Sequence, residues 1–372
     1  MHLVSRLFLI SLTTLLISCS QKQEKSFSIS GMIPNLNEKF IVLSVIEDFQ
    51  QNKTSVIDTL KINKRGEFNS VYLLEPALYT LTFNEEKTIL LAIDKGQHIV
   101  VKGPDLETIL VTGSNDTDLL NSYESFREES LNRLVKSVRN KIKELQKTSS
   151  NETEIIALRE LEVSNYKKHL NELTQFIQEK MGTSIAVYAT STRWNVTDNL
   201  NFYKDLVVKF EEKHASINIT QKLKERLILL KKTSIGSKLS SIEMPSVSGE
   251  IIKLDSIHKK YTLIDFWASW CPPCRTESKL LNSLYASFNA EGFEIYGISL
   301  DSKKERWINA LEKDARIWPN VSTVEGFKTK VSMEYGITSL PTNFLIDSQG
   351  KIIAANIHGN ELKEKIEQLF RN

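Results

Sequence analysis

Apolar residues along this chain follow three successive rhythms behind a short apolar leader. Leu7–Ser18 (LFLISLTTLLIS) is apolar but carries four hydroxyl residues, and the n-region Met1–Arg6 before it has one firm positive charge, Arg6. A spanning helix needs about 20 apolar residues, so residues 1–18 read as a cleaved signal peptide, followed by a polar tether over 19–25. The first rhythm is short strands. Phe40–Val45, Ser55–Ile62, Tyr79–Phe83, Thr88–Ile93 and His98–Val101 are rich in Val, Ile, Thr and aromatics. Turn signals such as Lys64-Arg65-Gly66 and Asp94-Lys95-Gly96 separate them. They predict a small antiparallel β domain over 26–113. It has no cysteine and no run of acids and histidines, and so reads as a docking or spacer module.

From Asp116 the period becomes helical. Leu131, Val135, Val138, Ile142 and Leu145 alternate spacings of four and three, as do Val163, Tyr166, Leu170, Leu173 and Ile177 after a polar break at Thr148–Thr153. Two heptads per arm are too few for a free coiled coil, so the two seams are expected to face each other as a helical hairpin. Further helices are expected at Thr183–Thr192, Asn199–His214 and Thr220–Lys232, making 116–233 a helical region whose Lys and Glu are solvated faces. The small polar run 234–241 (SIGSKLSS) reads as a linker.

The third rhythm, over 242–372, alternates strand and helix. Tyr261–Trp267 (YTLIDFW) is continuously apolar apart from one acid, the pattern of a strand buried on both faces. Pro272–Phe288 follows as a helix, Phe293–Leu300 as a second buried strand and Lys303–Lys313 as a helix. Thr342–Ile346 and Ile352–Asn356 form a hairpin, and Glu361–Phe370 is an amphipathic closing helix. A sheet covered by helices on both sides is expected.

Composition changes this picture in two places. The 48 Lys+Arg and 46 Asp+Glu give a net charge of +2, which removes the main reason to expect a nucleic-acid partner. Three cysteines are too few for a disulfide scaffold. Two of them form Trp270-Cys271-Pro272-Pro273-Cys274, where a buried strand ends and a helix begins. Unpaired N–H groups and the helix dipole favour a thiolate at Cys271. Proline is tolerated in the first helical turn, and the two-residue spacing permits an exchangeable disulfide. A zinc site would need a second cysteine pair, and c-type haem attachment would need His where Arg275 stands. No cofactor is expected. Asp265 lies inside an apolar strand, where burial raises a carboxyl pKa unless a cation answers it.

The segment Asp265-Phe266-Trp267-Ala268-Ser269-Trp270-Cys271-Pro272-Pro273-Cys274-Arg275 resembles the active-site segment of the thioredoxin superfamily. The region from about Ile235 to Asn372 resembles its extracytoplasmic TlpA/ResA-like branch. Tyr335–Thr342 is similar to the segment that precedes the family's cis-proline, and Phe344–Asp347 to the strand after it. The N-terminal regions resemble, less specifically, an extension found in lipid-anchored members. The resemblance implies a thioredoxin-like α/β fold at the C-terminus, preceded by the β domain and the helical region. It implies Cys271 as nucleophile and Cys274 as resolving cysteine, joined in a redox disulfide. It implies a cis Pro341 facing the sulfurs, Leu340 pairing with a client backbone, and Trp270 shielding the disulfide. It makes Asp265 a proton acceptor for Cys274 and Glu277 the acid typical of the ResA-like branch. Pro272-Pro273 departs from the commoner Gly-Pro or Glu-Pro and bears on the reduction potential.

Leu16-Ile17-Ser18-Cys19 resembles a bacterial lipoprotein signal, which implies diacylglycerol on Cys19 and anchoring at the periplasmic side of the cell envelope. A plain secretory signal is the alternative. The function expected from the resemblance is a membrane-anchored reductase of protein disulfides, with disulfide-containing protein substrates and an inner-membrane thiol donor as partners. Apocytochromes in cytochrome c maturation are one family-level client. A binding lipoprotein, a metal-delivery protein and a thiol peroxidase are the alternatives, the last disfavoured by Ala268 where that class has Thr.

Overall fold

A computed structural model describes residues 27–148, 151–194 and 199–371. The leader, the tether and Cys19 lie outside the described residues. Two compact units are built from segments that alternate along the chain.

The first unit comprises the described residues up to Glu124, with Lys180–Thr190 and Lys209–Lys222. It holds strands β1 (Phe27–Met32), β2 (Phe40–Asp48), β3 (Lys53–Lys61), β4 (Glu67–Tyr72), β5 (Ala77–Thr82), β6 (Thr88–Ile93), β7 (His98–Lys102) and β8 (Leu110–Thr112). They form two four-stranded sheets, in the orders β4-β1-β7-β8 and β3-β2-β5-β6. The pairing is antiparallel except between β1 and β7, which run parallel. The turn glycines Gly66 and Gly96 both adopt φ 76°, a left-handed conformation that glycine enters freely. Phe27 joins the two sheets, its ring centroid 5.2 Å from that of Tyr79. The apolar periodicity passes over β1, β4 and β8, because FSISGM and EFNSVY are half polar and LVT is only three residues long.

The second unit comprises Ser125–Glu179, Ser191–Val208 and the chain from Leu223. The helical region is therefore divided between the units. Helix α1 (Asn115–Leu131) runs through a π turn, Asn132–Lys136, into α2 (Ser137–Thr148), and α3 (Glu152–Phe176) returns beside it. The expected helix over Thr183–Thr192 shrinks to α4 (Val187–Thr190) and a 3-10 turn, Ser191–Arg193. It is followed by α5 (Leu200–Lys213) and α6 (Asn218–Lys232).

Helix α3 turns a different face to its neighbour from the one its apolar residues select. Ile155 and Leu158 close on Val138 and Ile142 of α2. Further along the same seam, Glu162 is bonded by Arg139 and Arg159. Asn165 donates to the Leu134 carbonyl, and Ser130 lies 2.9 Å from His169 Nδ1. The seam runs 155, 158, 162, 165, 169, with spacings of three and four, but its second half is polar. Of the stripe that hydrophobicity selects, Val163, Tyr166 and Leu170 stay half-buried, whereas Leu173 and Ile177 are buried.

The C-terminal layer holds β9 (Glu243–Pro245), β10 (Ile251–Lys253), α7 (Leu254–Ile257), β11 (Tyr261–Trp267), α8 (Pro272–Phe288), β12 (Phe293–Ser299) and α9 (Lys304–Lys313). After these come β13 (Asn320–Val321), α10 (Lys330–Glu334), β14 (Thr342–Asp347), β15 (Ile352–Ala355) and α11 (Gly359–Arg371). Five strands order as β13-β12-β11-β14-β15. The pairs β11–β12 and β12–β13 are parallel, and β14 and β15 are antiparallel to their neighbours. Alternate residues of β11 serve opposite faces. Leu263 packs with Leu281 and Leu284 of α8 and Leu362 and Ile366 of α11. Ile264 and Phe266 pack with Met244, Leu254 and Val331.

The run 234–241 does not behave as a free linker. Gly236 and Leu239 donate backbone hydrogen bonds to Ile352 and Gly350, Ser237 accepts one from Ile352, and Leu239 is buried in the core. Small residues here let the backbone lie against the hairpin edge.

Candidate active site

Strand β11 ends at Trp267, and four residues later the chain enters α8 with Cys271 as its N-cap and proline in the first turn. Missing N–H groups at these prolines cost nothing, because the first helical turn has no acceptors for them. The turn is pinned from two sides. Asp301 accepts from the Ser269 backbone (2.9 Å) and hydroxyl (2.5 Å), and also from Ser299 (2.8 Å). Arg275 forms a bidentate pair with Asp314 and donates to the Ser269 carbonyl.

Cys271 and Cys274 are joined in a disulfide, S–S 2.02 Å. The Cys274 N–H also points at Cys271 Sγ, 3.3 Å away. The sulfurs sit in an apolar cluster with Trp267, Ala268, Trp307 and Ala310, against which Leu340 packs. Cys271 is 4% exposed and Cys274 1%. The Leu340–Pro341 bond is cis, as the resemblance implies. Trp270 is 48% exposed, with its ring 6.0 Å from Phe327, and stands beside the cysteines as an open platform.

Beneath the disulfide lies a buried polar group that sequence reading found only in part. Asp265 is fully enclosed, and Arg316 Nη1 donates to its Oδ2 at 2.8 Å. The same guanidinium donates to the Cys274 carbonyl (2.9 Å) and to Ser278 (2.9 Å), and stacks 3.8 Å above the Trp267 ring. Burial drives the Asp265 carboxyl above its ordinary 3.8 despite the opposing pull of Arg316, and the charge of Glu277 adds to the rise. Arg316 could not be found by spacing, since it reaches Asp265 from 51 positions away.

Glu277 has a separate partner. His358 Nδ1 lies 3.0 Å from Glu277 Oε2, and the Gly359 N–H donates to Oε1 at 3.0 Å. Burial alone would raise the Glu277 carboxyl, but the His358 charge and these hydrogen bonds outweigh it and hold the group below 4.5. Burial likewise opposes a charged His358, and Glu277 overcomes it, lifting the imidazole above 6.5. Asn343, which pairs in register with Asp265, lies 3.3 Å from His358 Nδ1. Among the described residues, no three His, Cys, Asp or Glu side chains converge as metal ligands, and no helix is long and apolar enough to cross a membrane.

This geometry suits reversible two-electron exchange of one disulfide, with Cys271 capping a helix start, Cys274 one turn on, and the buried Asp265–Arg316 pair bonded to the Cys274 carbonyl. Comparisons with known proteins agree with that chemistry. Residues 235–355 match the AhpC/TSA family. The thiol-disulfide oxidoreductase ResA of Bacillus anthracis is 31% identical over 136 residues, covering 37% of this chain and 76% of that protein. ResA of Bacillus subtilis (strain 168) is 28% identical over 120 residues, 32% of this chain and 65% of the relative. Among solved structures, a thiol-disulfide oxidoreductase from Bacteroides fragilis is 32% identical, covering 36% of this chain and 99% of its own, with a TM-score of 0.34.

Proposed function

We infer that this chain, which belongs to the TlpA/ResA-like thiol-disulfide oxidoreductases of the thioredoxin superfamily, reduces protein disulfides outside the cytoplasm through its Cys-Pro-Pro-Cys dithiol. The observation that carries this reading is the Cys271–Cys274 disulfide at the start of α8, packed against Leu340 of the cis-proline loop. The Cys271 thiolate attacks one sulfur of a client disulfide, and the other client sulfur leaves as a thiolate that takes a proton. Cys274 then gives its proton to Asp265 and attacks Cys271 Sγ. This breaks the mixed disulfide and releases the second client thiol. Two electrons have passed to the client, and the chain is left in its disulfide form. A thiol donor at the inner membrane returns it to the dithiol. Leu340 offers its backbone to an extended client segment as an added strand. Lipid on Cys19 holds the protein at the periplasmic side of the envelope, within reach of that donor.

Cys271→Ser abolishes exchange, and Cys274→Ala accumulates mixed disulfides whose partners identify the clients. Alkylation of thiols in intact cells finds Cys271 and Cys274 mostly reduced; a fully oxidised pair would reverse the direction assigned. The match to the AhpC/TSA family favours one second reading, a thiol peroxidase. Ala268 stands where that class carries Thr. Hydroperoxide consumption by the reduced chain that outpaces protein-disulfide reduction would support it.

A further inference from the structure

The half-buried stripe of α3 has a neighbour of its own. Ile156, Val163, Tyr166 and Leu170 line a cavity of about 660 Å³ that is also lined by Pro273, Leu340 and Pro341. That volume is within the range of ligand clefts, about 300–1,000 Å³. The cavity thus abuts the dipeptide between the cysteines and the cis-proline edge. Lys279 pairs with Glu152, and Lys167 with Glu361 (3.7 Å), which ties α3 to α8 and α11.

Most charges around this cavity are answered within the protein, and among the lining residues the Glu160 carboxylate is left without an ion pair. Arg139 and Arg159 are both bonded to Glu162, and Glu277 is paired with His358. The charge left over is one acid, Glu160, beside a row of half-buried apolar side chains. Resting on the exchange function inferred above, we propose that α3 is the second wall of the client groove. The groove takes an extended, uncharged apolar segment flanking the client's reacting cysteine. Pairing with the Leu340 backbone holds such a segment extended, so alternate side chains project toward α3. An acidic flank would be desolvated against Val163 and Leu170 and set against the Glu160 carboxylate, which disfavours it.

The test uses the reduced chain and three disulfides. Two are disulfide-linked peptides that differ only in Leu-Val or Glu-Glu beside the cysteine, and the third is hydroxyethyl disulfide. The parent reduces the apolar peptide about tenfold faster than the acidic one. Val163→Lys erases or reverses that preference, with each rate normalised to hydroxyethyl disulfide. Equal parental rates on the two peptides, or an unchanged preference in Val163→Lys, would overturn the groove while leaving exchange intact. No reduction of any of the three overturns exchange and the groove together. A second measurement leaves α3 unaltered. Cys274→Ser chain, joined to the apolar peptide through Cys271, is irradiated with benzoylphenylalanine two residues from the peptide cysteine. Crosslinks within 156–170 support the groove, and crosslinks confined to 235–371 overturn it.

Discussion

Asp265 and Arg316 form one buried pair on which stability and the proposed proton transfer both rest. Each is enclosed, and Arg316 also holds the Cys274 carbonyl. Removing one member of such a pair leaves an unanswered charge and costs about 3–5 kcal/mol, whereas removing both can be close to neutral. Asp265→Asn is therefore expected to lose stability in urea, and Asp265→Asn with Arg316→Met to recover part of it. Resolution of the mixed disulfide, followed by quenched alkylation at neutral pH, is expected to stay slow in both, because the proposed proton acceptor is gone in both. Recovery of rate together with stability would show that Asp265 acts only through packing. At this scale the sequence exposed the acid but not its cation. An acid inside YTLIDFW is conspicuous, while Arg316 sits in the mixed stretch 313–320 (KDARIWPN) and meets it only through the fold.

Elements whose burial is simple were legible along the chain. Tyr261–Trp267 and Pro272–Phe288 have the bounds expected of them, since a strand covered on both faces and a proline-started helix leave strong signatures. The hairpin arm α3 was legible as a helix but not in its orientation. Glu162, Asn165 and His169 occupy its seam because they find partners there, and apolar periodicity cannot register a polar seam. The apolar contact between α2 and α3 is correspondingly small, centred on Val138, Ile142 and Leu158. Ile142→Ala should cost about 2–5 kcal/mol. Hydrogen exchange should speed up across α2 and α3 while β11 and β12 keep their protection. Uniform acceleration over both regions would mean that the hairpin and sheet unfold as one.

At the scale of the whole molecule, Glu277 and His358 form one pair through which pH acts on stability. Glu277 is held below 4.5, so its contribution is present above that value and is lost as pH falls through the lowered pKa. His358 is lifted above 6.5, so its contribution is complete below that value and is lost as pH rises through the raised pKa. The pair stabilises the fold most between the two. The Tm difference between parent and His358→Asn should be largest near about pH 5–6 and shrink toward about pH 9; an offset constant with pH would show that the imidazole packs there uncharged. The internally matched charges beside the cis-proline have a consequence for encounter as well as for preference. Steering by an electrostatic field is what salt screens. A chain of net charge +2 whose proposed groove keeps one unpaired acid, Glu160, has only a weak field of this kind. Clients of the proposed groove are then expected to arrive near the unsteered rate of about 10⁵–10⁶ M⁻¹s⁻¹, with capture changing little between dilute and salty surroundings.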